Sequence, residues 1–339
     1  MAIERTAGQL QVFRRRKPVF WQRWNVTPYP DQPEQAPKVK SRQVSLPVRL
    51  DRMLDNRLER LPEPAAIGEN GDPYPLIERK RRITHRCLEV LAKHGCPIIV
   101  STGSSLILRD IDLIRELHEE SMATVCLKLP IKLFSRDRVH SREQSRAGLL
   151  ALLERICRSG VQTGIIIEST EGQPFLRRRL EPFFKIAALL SVDFIHFPVL
   201  RIPRGSYRIC SRSMEENSDG STASSFREKS GRVGLKIKKS ILQLSQDYNI
   251  RLNPKRFLPK DKRLENFWLA ETLANRAYFL EMSGAAATNY WAAARRIDNF
   301  DGDVRLWALR GELAPMTSHN PVVRADVERL LRGERDIHL

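Results

Sequence analysis

GENGDPYPLIERKRRITHRCLEVLAKHGCPIIVSTGSSLILRDIDLIREL, residues 68–117, carries the alternation that decides the fold. Asn70-Gly71 is a turn signal, and Asp72-Pro73 reads as a helix cap followed by a first helical position. Behind it Ile83, Cys87 and Leu91 fall at helical spacing, and Gly95 ends the run. CPIIVST is short, apolar and β-branched, so it predicts a buried strand. The segment from Ser104 predicts a second helix, with Ile107, Ile111 and Ile114 on one face.

The pattern continues toward the C-terminus. MATVCLKL, VQTGIIIE and VDFIHFPVL predict strands. SREQSRAGLLALLERICRSG predicts a helix opened by Ser141, with Gln144 in capping-box register, and closed by Gly160. FLRRRLEPFFKIAALLS predicts another. Continuous apolar strands alternating with amphipathic helices indicate an α/β domain built on parallel strands. Four strands are legible after residue 95, with one or two more expected before it. Periodicity alone suits an open or partial barrel as well as a doubly wound sheet.

Outside this core the character changes. Residues 1–60 read as a basic, proline-punctuated arm, with a helical leucine stripe at Leu50, Leu54, Leu58 and Leu61. Residues 61–212 form the expected core, and 213–232, rich in Ser, Glu and Gly, reads as a flexible linker. Residues 233–339 read as a mainly helical C-terminal extension that begins with the stripe Ile237, Ile241, Leu244 and Tyr248.

The composition, 41% hydrophobic and 29% charged, is that of a globular chain. Neither a membrane-length apolar run nor the apolar core of a secretory signal is present, so no membrane partner is expected. The cysteines Cys87, Cys96, Cys126, Cys157 and Cys210 are widely spaced, and four of them lie in apolar segments. That pattern suggests small buried thiols in a reducing compartment, and the cytoplasm is the expected location. A net charge of +18 favours a polyanionic partner: nucleic acid or a larger protein or nucleoprotein assembly. Arg14, Arg15, Arg16 and Lys17 precede Trp21 and Trp24, interleaving cation and aromatic as phosphate contact with base stacking requires. An exposed tail with packed tryptophans accounts for the same residues.

The 68–117 run resembles the second and third βα units of radical SAM proteins related to spore photoproduct lyase. Gly68, Asn70, Asp72, Pro73, Tyr74, Glu78, Thr102, Ser104, Arg109, Asp110, Asp112 and Leu113 match that family's order and spacing. The resemblance extends over about residues 20–200 and fades beyond. It implies a partial (β/α) barrel and a Cys-x3-Cys-x2-Cys loop after the first strand, whose three thiolates hold a four-iron cluster that binds S-adenosylmethionine. Here that loop corresponds to WNVTPYPDQPEQAPKVKSRQ, and counting on from Tyr29 the cysteine positions are Gln32, Ala36 and Val39. None supplies a thiolate.

Other family positions depart as well. Gly103 replaces a lysine after the third strand, VCLKLPIK lacks a Ser/Thr-rich end, and RDRVHSREQSRAG lacks the expected Glu-Pro and Ala-Pro pairs. By resemblance, Gly68, Asn70, Asp72, Tyr74, Thr102 and Ser104 outline a residual cofactor pocket. A turn, an Asp cap and a packed tyrosine explain the first four equally well. Arg109, Asp110 and Asp112 read as helix-face ion pairs. The expectation is therefore a pseudoenzyme with no iron–sulfur cluster and no cofactor, acting as a binding or assembly subunit. The alternatives are an S-adenosylmethionine-dependent enzyme of the DNA-repair type and a regulatory partner of an active radical SAM paralogue.

Overall fold

In the computed structural model, the described residues are 24–29, 46–55, 64–69, 71–134, 145–168, 177–197, 223–258 and 264–334. Side chains are described for these except at 24, 25 and 223–234. Gln32, Ala36, Val39, Asn70, Trp21 and the Arg14–Lys17 cluster lie outside them, and the side chain of Trp24 does too.

Six parallel strands make one sheet: β1 (Trp24–Val26), β2 (Ala65–Ile67), β3 (Ile98–Thr102), β4 (Ala123–Pro130), β5 (Gln162–Glu168) and β6 (Phe194–His196). Four follow residue 95 and two precede it, as the pattern predicted. Their spatial order is unbroken, from β1 to β6. A doubly wound sheet reverses its order at a switch point, so that architecture is excluded. With right-handed crossovers, an unbroken order places the connecting helices on one face.

The register shows why the two faces differ. One carries Ile67, Val100 and Val125 in one row and Leu127, Ile165 and Ile195 in the next, all fully buried. It matches the aliphatic stripes of the helices. The other mixes small and polar residues with a few apolar ones: Ala66, Ile99, Thr124 and Gln162 are level, then Ser101, Cys126, Gly164 and Phe194, then Lys128, Ile166 and His196. Thr124 donates to Gln162 at 2.5 Å. Phe194 lies over Gly164 so closely that a Cβ there would sit 2.1 Å from the ring, and with Ile99, Cys126 and Ile166 it makes a small cluster on this face.

The first helices are α1 (Leu46–Asp55), the single turn α2 (Glu78–Arg81) and α3 (Ile83–Lys93). Within α3 the predicted stripe of Ile83, Cys87 and Leu91 is fully buried, and Gly95 follows at φ +57°. The segment after β3 is two pieces, a 3-10 turn over Ser105–Arg109 and α4 (Ile111–Glu120), with Asp110 between them. Beyond β4 come α5 (Arg146–Arg158) and α6 (Arg177–Leu189). The α5 helix starts at Ser145, whose hydroxyl accepts from the Gly148 amide, and Ser141 and Gln144 lie outside the described residues.

The expected linker at 213–232 needs correction, since α7 runs Ala223–Tyr248 and takes in 223–232. Serine and glycine weigh against a helix locally, but propagation from the amphipathic half beyond residue 235 carries the helix back through them. The remaining helices are α8 (Leu264–Ser283), α9 (Thr288–Asp298), α10 (Val304–Leu309) and α11 (Pro321–Leu331).

The chain divides into two compact units whose boundary falls inside α7. One holds the sheet and also takes in Leu244–Phe257, where Arg251 forms a parallel bridge with Phe194 and accepts from the Ile195 amide at 2.8 Å. The other comprises α7 up to Gln243 and the helices from Leu264 on. Its core is formed by Leu269, Leu273, Ala277, Ile297 and Val327. No helix among the described residues is long and apolar enough to cross a membrane.

Candidate functional site

Gly68, Asp72, Tyr74, Thr102 and Ser104 lie at or just beyond the C-terminal ends of β2 and β3, where parallel strands deliver their loops. Two polar groups form there. In the first, Asp72 accepts from the Tyr74 amide at 2.8 Å, an Asx turn, and from the Thr102 hydroxyl at 2.7 Å. Its second oxygen accepts from the Gly103 amide at 3.1 Å. Thr102 in turn accepts from the Ser104 amide at 2.9 Å, and Ser104 caps the following 3-10 turn. Asp72 therefore ties the end of β3 to the loop after β2. Contrary to the expected cap at Asp72-Pro73, the next helical turn begins only at Glu78.

Gly68 is fixed by its backbone. Its φ is +96°, and a Cβ there would stand 2.0 Å from the Ser101 carbonyl oxygen and 2.9 Å from Pro73. The Gly68 carbonyl accepts from Lys128 Nζ at 2.9 Å, which reaches from β4 across β3. At Gly103 a Cβ would meet nothing nearer than 3.7 Å, so packing does not demand glycine there.

The second group centres on Glu78, which is completely buried. One carboxylate oxygen accepts from the Tyr29 hydroxyl at 2.6 Å and from the amides of Ile83 at 2.8 Å and Thr84 at 3.2 Å. The other accepts from Arg109 Nη2 at 2.7 Å and the His85 amide at 3.3 Å. Those three amides open α3, whose preceding residue, Arg82, is left-handed at φ 49° and makes no side-chain cap. Glu78 satisfies them instead, with its charge at the positive end of the helix. Thr84 donates to the Pro73 carbonyl from the same turn.

Arg109 also holds Asp110 through two bonds of 2.8 Å, and Asp110 pairs with His85 Nδ1 at 2.9 Å. Arg109 and Asp110 are thus part of a buried network, not the helix-face pairs expected, because the break before α4 turns both inward. Asp112 is on the surface and pairs with Arg115, as predicted. The hydrogen bond to Asp110 holds the Arg109 guanidinium above its ordinary pKa despite partial burial. Burial, followed by the bond to Glu78, pushes the Tyr29 phenol well up. The Tyr74 hydroxyl is buried and meets no partner at hydrogen-bonding geometry among the described residues. Its burial and the Asp110 carboxylate beside it raise it far above its usual value.

Of the residues that the resemblance grouped, Asp72, Tyr74, Thr102 and Ser104 are linked by hydrogen bonds and Gly68 adjoins them, while Asn70 lies outside the described residues. Sequence reasoning passed over Tyr29, His85 and Lys128 as participants. Tyr29 had a signal, an isolated aromatic among prolines, whereas nothing in the local pattern marks His85 or Lys128.

The described thiols do not fit an iron cluster. Cys87 is on α3, Cys96 before β3, Cys126 on β4 and Cys157 on α5. Burial pushes Cys87 up to about 12 and Cys96 and Cys157 to about 11, away from the thiolate a metal requires. Among the described residues only Asp51, Asp55 and His94 bring three potential ligand atoms together. There the Lys93 ammonium is 2.9 Å from Asp51, joining α1 to α3 as a salt bridge.

No family model matches the chain, and no curated protein matches it.

Proposed function

We propose that this protein is a radical-SAM-like scaffold without its cluster, serving as a binding or assembly subunit for a polyanionic partner, either nucleic acid or nucleoprotein. The observation that carries this reading is the commitment of the strand-end polar groups to one another. Both oxygens of Asp72, both oxygens of Glu78 and the Lys128 amine bond to the protein itself. A working site aims such groups at a reacting atom. On this reading the sheet is a partial (β/α) barrel, supported by its unbroken strand order.

The test has two arms. Purified protein reconstituted anaerobically with iron and sulfide should retain no stoichiometric iron, and a stable four-iron cluster would overturn the reading. Fluorescence anisotropy with a single-stranded oligonucleotide should show binding that weakens steeply with salt and falls when Arg14, Arg15, Arg16 and Lys17 become glutamine. Salt-independent or arm-independent binding would reject the basic arm as the contact. The intact Asp72–Thr102 pair at the strand ends favours a second reading, an S-adenosylmethionine-dependent enzyme. Calorimetric binding of S-adenosylmethionine that Asp72→Ala abolishes would establish it in place of the first.

A further inference from the structure

The loop between Asp72 and α3 presents a combination that the strand-end network does not use. Leu76 is 74% exposed and Ile77 46% exposed, side by side, in a loop whose neighbours Tyr74 and Glu78 are buried. Arg79 and Lys80 follow, both exposed and without an ion pair among the described residues. The rim is held rigidly from beneath. Glu78 donates its amide to the Pro75 carbonyl at 2.8 Å, the Lys80 amide bonds the Ile77 carbonyl at 3.1 Å, and Arg109 Nη1 donates to the Glu78 carbonyl at 3.2 Å. A preordered apolar pair flanked by unpaired cations loses little entropy when covered.

We propose that the Leu76–Lys80 rim docks an acidic protein segment whose aliphatic or aromatic residues cover Leu76 and Ile77 while its carboxylates meet Arg79 and Lys80. This deepens the proposed binding role and rests on it. Charge complementarity sets the sign of the partner, since among the described residues no carboxylate pairs with these cations, in a chain of net charge +18. Side-chain chemistry sets its class. Nucleic acid would use Arg79 and Lys80 through phosphate but would leave the exposed aliphatic pair of Leu76 and Ile77, which offers no aromatic plane for a base, uncovered. A membrane surface needs far more apolar area, since even a single fourteen-carbon chain holds only marginally.

The test is selection of random dodecapeptides displayed on phage against the full chain, followed by affinity measurement of the selected peptides. Selected sequences should interleave Asp or Glu with aliphatic or aromatic residues. Their affinity should fall at least about tenfold on Leu76→Ser/Ile77→Ser, the least that burying an aliphatic side chain supplies. It should fall comparably on Arg79→Glu/Lys80→Glu, with both variants melting as the parent does. Failure to enrich such peptides, or equal binding to the variants, would overturn the proposal. So would loss of oligonucleotide or phosphatidylserine-vesicle binding in the Leu76/Ile77 variant, which would assign the rim to nucleic acid or membrane. Intact arm-dependent oligonucleotide binding beside a failed rim refutes the rim alone; failure of both removes the binding role as well.

Discussion

Replacing Glu78 by alanine removes the acceptor of five hydrogen bonds in one step. The Ile83, Thr84 and His85 amides lose their only cap, the Tyr29 hydroxyl loses its partner, and Arg109 keeps only Asp110 and the Glu78 carbonyl. Breaking a buried ion pair from one side costs about 3–5 kcal/mol. The helix cap alone accounts for about 1 kcal/mol of comparable substitutions, so a loss near 4 kcal/mol is expected. For a unit of this size each kcal/mol moves Tm by about 2–4 °C, so melting should fall by roughly 10 °C. Glu78→Gln keeps an acceptor without the charge and should lie between the two. Thermal melting followed by circular dichroism reads the shift, and amide hydrogen exchange should accelerate at Ile83, Thr84 and His85. A Tm within about 2 °C of the parent would refute the assignment of Glu78 as the centre of the network.

Gly68→Ala should destabilise severely, given its positive φ and the 2.0 Å approach to Ser101, whereas Gly103→Ala should be nearly silent, and melting of the pair compares them. Asn266 donates to the carbonyls of Phe300 and Gly302 and accepts from the Val304 amide, so Asn266→Ala should cost about 2–3 kcal/mol in urea unfolding. Asn266→Asp should be worse, because it turns a carboxylate toward two carbonyls. The raised values of Tyr29, Tyr74 and Cys87 imply loss of stability in alkali. A raised folded value means the native state holds its proton more tightly. The stabilisation is therefore complete below the ordinary thiol and phenol values and is lost as pH climbs from about 9 through about 12, the raised value of Cys87. Tyrosinate absorbance should show two phenols that ionise only with unfolding, and their free titration in the native protein would contradict the buried network.

The four strands after residue 95 were legible because each is a short apolar run between amphipathic helices, whereas β1 (WNV) and β2 (AAI) are too short to show a pattern; Ile83, Cys87 and Leu91 announced their burial by spacing alone. Strand order was not legible, because periodicity within an element says nothing about which neighbour it joins. The Asp72 group could be expected from the order of its residues. Glu78 capping a helix from five residues upstream could not, because the left-handed Arg82 that displaces the usual cap position is a tertiary compromise. The helix through 223–232 was hidden for a related reason: its local composition opposes what its continuation enforces.

The strand-like contact at Arg251 bears on how the molecule is made. Beside β6 the sheet is joined by a segment synthesised only after α7, so a nascent chain that has completed every strand still lacks the bridge between Phe194 and Arg251. At ordinary translation speeds of about 5–20 residues per second that bridge waits for several seconds. A nascent chain stalled before Arg251 would hold β6 without the backbone bond that the Ile195 amide makes to Arg251, so the last strand would be the one most dependent on completed synthesis.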